Sequence, residues 1–223
     1  YWDAGRTVEK VKNWNRVGLD HIKPEDGAIL RKTVRLPAAW KGKRVFLRFD
    51  AIYPAGRVYV NGHLLGEHAS GLTPAEWDVT GLVAPGRDAL VAVRLLRKHK
   101  FVKMDMPRHG CEFAGLAQSA RFFAVQRVHL SSYQIIASLD ESLKTCSLDG
   151  LVEVRNTTGR AAEGELDVVV TDAEGRDVAV RRAEEFCASD DTCHVPVDLT
   201  VRKPKLWNDE FPNLYTVTLR LKV

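Results

Sequence analysis

Val58-Tyr59-Val60-Asn61-Gly62-His63-Leu64-Leu65-Gly66-Glu67-His68 reads as two short apolar runs joined at an Asn-Gly pair. Asn-Gly accepts the positive φ angles of a type I′ turn, whose twist matches that of the strands on either side, so this stretch predicts a β-hairpin. The same period of two extends outward. Upstream, Val45, Leu47 and Phe49 alternate with Phe46, Arg48 and Asp50; downstream, Val91, Val93 and Leu95 repeat the pattern. Successive side chains of a strand face opposite sides, so this alternation marks half-buried antiparallel strands. Pro37, Pro54, Pro74 and Pro85, with glycines nearby, punctuate the region at strand-length intervals. Thr7 to Val17, with Val8, Val11 and Trp14 on one side, is the single stretch expected to be helical.

The second part of the chain alternates more cleanly. Val152 and Val154 lead into a turn at Asn156-Thr157-Thr158-Gly159. Leu166, Val168 and Val170 then form one face, ending in the turn Asp172-Ala173-Glu174-Gly175. Cys193, Val195, Val197 and Leu199 make another face, and Tyr215, Val217, Leu219, Leu221 and Val223 the last. Short strands at this spacing indicate an immunoglobulin-type β-sandwich. The boundary is placed at Ser131-Ser132-Tyr133-Gln134, giving domains 1–134 and 135–223. Charge supports the division: up to Gln134 there are 22 Lys/Arg against 12 Asp/Glu, and beyond it 11 against 17. The expected architecture is all-β, two sandwiches in succession.

Composition excludes several classes. With 223 residues, 45% hydrophobic and 28% charged, the chain is that of an ordinary folded protein. Its longest nearly apolar stretch, Ala89 to Leu96, contains Arg94 and is too short to span a bilayer. No basic start leads into an apolar run, and the first residue is Tyr1 rather than Met, so the sequence assigns no compartment and is expected to be a piece of a larger protein. The cations of the basic half are scattered singly apart from Arg97-Lys98-His99-Lys100, which describes a solvated surface and not a nucleic-acid site. Cys111, Cys146, Cys187 and Cys193 form no C-x-x-C pair; free thiols are expected, a Cys187–Cys193 bridge being the alternative in an oxidising compartment.

No complete active site is legible. The chain lacks a G-x-S-x-G elbow, a P-loop, H-E-x-x-H and G-x-G-x-x-G. Its seven histidines show no metal-ligand spacing; His63 and His68 straddle the hairpin turn and read as exposed turn residues. Paired carboxylates matter because glycoside hydrolysis uses two of them at fixed separation. Glu76 with Asp78, and Asp105 with Glu112, are the nearest pairs. Glu76 and Asp78 share one strand face beside Trp77, where surface pairing or turn capping accounts for them. Trp2, Trp14, Trp40, Trp77 and Trp207 could stack on sugar rings, but each has a packing explanation. No cofactor is implied.

These stretches together resemble glycoside hydrolase family 2. The resemblance is carried by Leu30 to Pro37 with Trp40 to Phe49, by the Val58–His68 hairpin, by Ser70-Gly71-Leu72-Thr73-Pro74-Ala75-Glu76-Trp77-Asp78-Val79-Thr80, and by Pro85 to Val93. Pro204-Lys205-Leu206-Trp207-Asn208-Asp209-Glu210-Phe211-Pro212-Asn213-Leu214-Tyr215 is similar to the motif closing that family's immunoglobulin-like domain. The segments follow the family's order and spacing from about residue 27 onward, and the β-galactosidases look most similar.

The resemblance implies a jelly-roll, galactose-binding-like sugar-binding sandwich followed by an immunoglobulin-like sandwich. In the family a (β/α)8 barrel bearing both catalytic glutamates comes next, and this sequence contains no such barrel. The chain is therefore expected to hold no catalytic residue and to be inert alone, serving as the support of a barrel and of its sugar-pocket rim. Asp105, within Met104-Asp105-Met106-Pro107-Arg108, partly fits the loop aspartate that β-galactosidases send into that pocket. Pro107 in place of an aromatic and the lack of an arginine after Leu116 depart from the pattern, and Gln118 to Gln126 reads as an insertion. Trp207 and Leu214-Tyr215 are expected to anchor the closing motif against the core. The implied partners are carbohydrate and the barrel, with a homo-oligomer left open and dimers through apolar surface that the barrel would cover expected to be artefacts of truncation; no nucleic acid, membrane or metal is among them. A stand-alone carbohydrate-binding or adhesion module is the alternative, and an independent hydrolase using Glu76 and Asp78 a third.

Overall fold

The computed structural model describes residues 7–11, 28–96, 115–116, 118–188 and 191–223. The chain divides into two compact units, Tyr1–Gln126 and Arg127–Val223. Among the described residues both are built of antiparallel strands, with a 3-10 turn at Ala38–Trp40. No helix among them is long and apolar enough to cross a membrane.

The first unit contains β1 (Thr7–Val11), β2 (Ile29–Arg35), β3 (Arg44–Phe49), β4 (Ala55–Val60), β5 (His63–His68), β6 (Ala75–Asp78), β7 (Asp88–Leu96) and β8 (Ala120–Val125). They form two four-stranded sheets, ordered β1-β8-β3-β6 and β2-β7-β4-β5. The alternation read from sequence sets which face is buried. Val45, Leu47 and Phe49 of β3 and Phe122 of β8 meet Val58, Val60, Val91 and Val93 of the other sheet in one core, with Trp40 fully buried among them. Removing each such side chain from water contributes about 1.5–3 kcal/mol, the main stabilising term of the sandwich. The hairpin forms as expected. Asn61 and Gly62 take φ of 49° and 85°, and the Asn61 side chain accepts from Leu90 N–H (2.8 Å) and donates to the Leu82 carbonyl (2.8 Å), tying the turn to its neighbours.

Two expectations are corrected here. Thr7–Val11 is a strand and not the start of a helix, and residues 12–17 lie outside the described residues. Val8 and Val11 are spaced as on a helix face, but the backbone of β1 finds its partners on β8, from Thr7 opposite Ala124 to Val11 opposite Ala120. Long-range pairing of this kind overrides a weak local pattern. The stretch 118–126, read as an insertion, carries β8, which pairs with β1 on one side and β3 on the other. With Phe122 and Phe123 buried, it is a constituent of the sandwich.

The second unit contains β9 (Val128–Leu139), β10 (Thr145–Asn156), β11 (Ala162–Thr171), β12 (Asp177–Ala188), β13 (Thr192–Arg202) and β14 (Thr216–Lys222). The sheets are β13-β10-β9 and β12-β11-β14. Val152 and Val154, Leu166, Val168 and Val170, and Val195, Val197, Leu199 and Val201 fill the space between them, as in an immunoglobulin-like sandwich. The structural division falls between Gln126 and Arg127, so the expected break after Gln134 lies inside β9, where polar Ser131 and Ser132 are strand residues. Gly150 is required where β10 passes β9: a Cβ there would overlap the Gln134 carbonyl oxygen and stand 2.9 Å from the Ile135 Cα.

Candidate functional site

Strands β3, β5 and β7 end, and β6 and β8 begin, at one end of the first unit, so the connections between them gather there. Tyr53 and Gly115 exchange two backbone hydrogen bonds of 2.8 Å, while Ala55 is paired with Leu96. Leu96 and Gly115 are thus held at the same end of the unit, beside Ala55 and Tyr53. Asp105 and Glu112 belong to the segment between and lie outside the described residues. Around these anchors, Gly71 brings the backbone against the Tyr53 ring, where a Cβ would stand 3.2 Å away. The His68 ring nitrogen lies 2.9 Å from the Thr73 carbonyl. Beside them the Asp50 carboxylate bridges Arg48 (2.8 Å) and Arg121 (2.5 Å). This end is thus a firmly tied rim of aromatic, imidazole and charged groups.

The structure places Glu76 and Asp78 on the outer face of β6, opposite Arg48 and Phe46 of β3. Glu76 lies 3.5 Å from the Arg48 guanidinium, and Asp78 is paired with Arg44. Asp78 Oδ1 also accepts from the Thr80 N–H (2.9 Å) and hydroxyl (2.6 Å), and the Thr80 hydroxyl oxygen accepts from Val45 N–H (2.9 Å). Both carboxylates are committed to cross-strand ion pairing and turn formation, the structural role that their spacing suggested.

His63 and His68 stand at opposite ends of β5 and do not converge. No group of three His, Cys, Asp or Glu capable of holding a metal occurs among the described residues. Cys193 lies in β13 and Cys187 in β12, but the Cys187 side chain is outside the described residues, and the expectation about their bridging lies there with it.

The closing motif departs from expectation. Its backbone is tightly organised: Trp207 and Pro212 form an isolated antiparallel bridge. Asn208 Oδ1 accepts from Phe211 N–H (2.5 Å), Asn213 Nδ2 donates to the Leu206 carbonyl (2.8 Å), and the Tyr215 hydroxyl accepts from Lys205 N–H (2.7 Å). Tyr215 packs against the second core as expected. Trp207 and Leu214 do not: they are 63% and 67% exposed, and Phe211 is 64% exposed. The loop is held by its own hydrogen bonds, not by burial of those side chains. A hydrogen-bonded loop displaying several large apolar groups has the character of an interaction surface.

Two family models match the chain in succession. "Glycosyl hydrolases family 2, sugar binding domain" matches residues 17–107, and "Glycosyl hydrolases family 2" matches residues 128–223. The chain belongs to glycosyl hydrolases family 2. Among its family 2 relatives, a β-galactosidase of Priestia megaterium is 23% identical over 192 residues, covering 86% of this chain and 18% of its own length. A β-glucuronidase of Bacteroides fragilis is 27% identical over 209 residues, covering 85% of this chain and 28% of its own. The solved structure of β-glucuronidase 2 of Bacteroides uniformis superposes with a TM-score of 0.81 at 21% identity, over 97% of this chain and 30% of that one. This family 2 chain thus spans between 18% and 30% of the length of these relatives. The likeness to the solved structure bears on the fold, which is the jelly-roll and immunoglobulin-like pair that the motifs implied.

Proposed function

We propose that this chain forms the two non-catalytic N-terminal domains of a retaining β-glycosidase, a β-galactosidase by the balance of its motifs. In this reading the sandwiches buttress a catalytic barrel, and the loop end of the first unit contributes to the rim of its sugar pocket. Asp105, in the segment joining Leu96 to Gly115, is the residue that reaches the sugar. The observation carrying this reading is the closing loop, which holds Trp207, Phe211 and Leu214 out to solvent on an ordered backbone. Apolar groups so displayed gain their hydrophobic free energy when another domain covers them. The relatives' greater length and the committed state of Glu76 and Asp78 support it. A retaining mechanism needs two unencumbered carboxyl groups roughly 5 Å apart, which in this reading the barrel supplies.

The test is made on the gene from which the sequence comes. The reading expects several hundred further residues carrying paired glutamates on barrel strands, and a protein that hydrolyses β-galactosides. Trp207→Ala with Phe211→Ala in that protein should lower its thermal stability or its soluble yield. A coding sequence without such a region would replace this reading with a stand-alone carbohydrate-binding or adhesion module.

A further inference from the structure

The outer face of the β2-β7-β4-β5 sheet holds a shallow groove of about 440 Å³, unconnected with the carboxylates discussed above. The strand register builds it. Ala92 of β7 lies between Arg31 of β2 and Tyr59 of β4. Arg94 and Leu90, two positions to either side along β7, face the same way, and Ile29 stands opposite Arg94. A methyl group therefore floors a trough walled by a guanidinium on one side and a phenol on the other. The two walls are two strand spacings apart, about 10 Å, which admits one six-membered ring with its substituents. The volume lies within the range of small-ligand sites.

The charges on this face select the ligand. Arg57 is engaged by Glu67 at 2.7 Å, which holds its guanidinium above its ordinary pKa, and Arg35 is paired with Asp88 at 3.2 Å. Arg31 and Arg94, diagonal neighbours across β2 and β7, have no carboxylate partner among the described residues. Two uncommitted guanidiniums can form bidentate hydrogen bonds to a carboxylate. Beside them the Tyr59 ring offers a flat amphipathic surface at small entropic cost. Ile29 and Leu90 are exposed apolar walls for the less polar face of a ring. A second copy of the chain does not fit, because it would set these arginines against their equals. Nucleic acid does not fit either, since two free cations are too few to follow a phosphate backbone.

We propose that this groove is a non-catalytic subsite for an acidic saccharide, with a uronic-acid carboxylate held by Arg31 and Arg94 and its ring seated over Ala92 against Tyr59. The subsite lies wholly within residues matched by the sugar-binding-domain model. It works in the chain as it stands, so it holds or fails independently of any catalytic domain. In a longer enzyme it would retain an anionic glycan near the protein without cleaving it.

The experiment is a calorimetric titration of the 223-residue chain with digalacturonate, beside the neutral galactose disaccharide of the same linkage. The acid should bind with a Kd of roughly 1 mM or tighter and the neutral sugar at least about tenfold more weakly, with affinity for the acid falling as salt rises. Arg31→Gln and Arg94→Gln should each weaken the acid by about tenfold, and Tyr59→Leu by a similar factor. Arg35→Gln, on the same face but outside the groove, should leave binding unchanged. All four residues are on the outer face, and an unchanged melting temperature certifies each variant as folded. No saturable binding, equal binding of the neutral sugar, equal binding of a poly-glutamate peptide, or indifference to the Arg31 and Arg94 substitutions would each overturn the proposal.

Discussion

Trp207 is joined to Pro212 by an isolated antiparallel bridge, and the indole so fixed faces solvent. Order without burial is the distinguishing property of this loop. It separates the side chains that hold the chain together from those it presents outward, and this difference can be measured.

In the isolated chain, Trp207→Ala and Phe211→Ala should each change unfolding free energy by no more than about 0.5 kcal/mol, since exposed side chains lose little on truncation. Leu166→Ala, in the second core with no exposed surface, should cost about 2–5 kcal/mol. Urea denaturation followed by tryptophan or far-UV signals makes the comparison. A loss above about 1.5 kcal/mol at Trp207 would mean that the indole packs after all.

Glycine at the crossing of β9 and β10 gives a second contrast. Gly150→Ala should destabilise the second unit by about 3 kcal/mol, because its Cβ would meet the backbone of Gln134 and Ile135, which cannot withdraw without breaking the ladder. Gly81→Ala, where nothing lies within 4 Å, should be close to neutral. Similar thermal shifts in the two variants would contradict the β9–β10 register.

Acid should weaken the second unit through Asp172. Its carboxylate accepts from the Arg176 side chain at 2.8 Å and from the Arg176 N–H at 2.9 Å, which lowers its pKa from 3.8 to about 2. The folded state therefore binds this proton less readily than the unfolded state. The stabilisation is complete above the unfolded value and is lost as pH falls from about 4 through about 2. Urea titrations across that interval should show a steeper fall in stability for the native chain than for Asp172→Asn. Equal slopes would remove the pair from the account.

Much of this organisation was legible in the sequence because it is encoded locally. Asn61-Gly62 fixes its hairpin by backbone preference alone, and the alternation of Val45, Leu47 and Phe49 gives the buried face without knowledge of the partner strand. The strand at Thr7–Val11 was not legible, because its identity comes from pairing with β8, near the other end of the same unit. The exposure of Trp207 and Leu214 was hidden for a different reason. A motif of Pro, Trp and Leu reads as a packing element, and the hydrogen bonds of Asn208 and Asn213 that hold it without burial leave no periodic signal. Pairing of Glu76 and Asp78 with arginines could be anticipated from Arg44 and Arg48 on a neighbouring strand. The groove over Ala92 could not, because Arg31, Tyr59 and Arg94 come together only through the register of three strands.

Neutral sugars should find little purchase on this chain. Titration with galactose or lactose is expected to show no binding tighter than roughly 1 mM, since in the proposed reading another domain supplies the part of the pocket that encloses such a sugar. Saturable micromolar binding would instead favour a self-contained carbohydrate module.

The most direct measurement is turnover by the purified 223-residue chain on chromogenic β-galactoside and β-glucuronide substrates. Glu76 and Asp78 are tied to Arg48 and Arg44, so no hydrolysis above the buffer rate is expected at any pH at which the chain is folded. Hydrolysis that disappears in Glu76→Gln or Asp78→Asn would contradict the account, for it would place a working carboxylate couple on the face of β6.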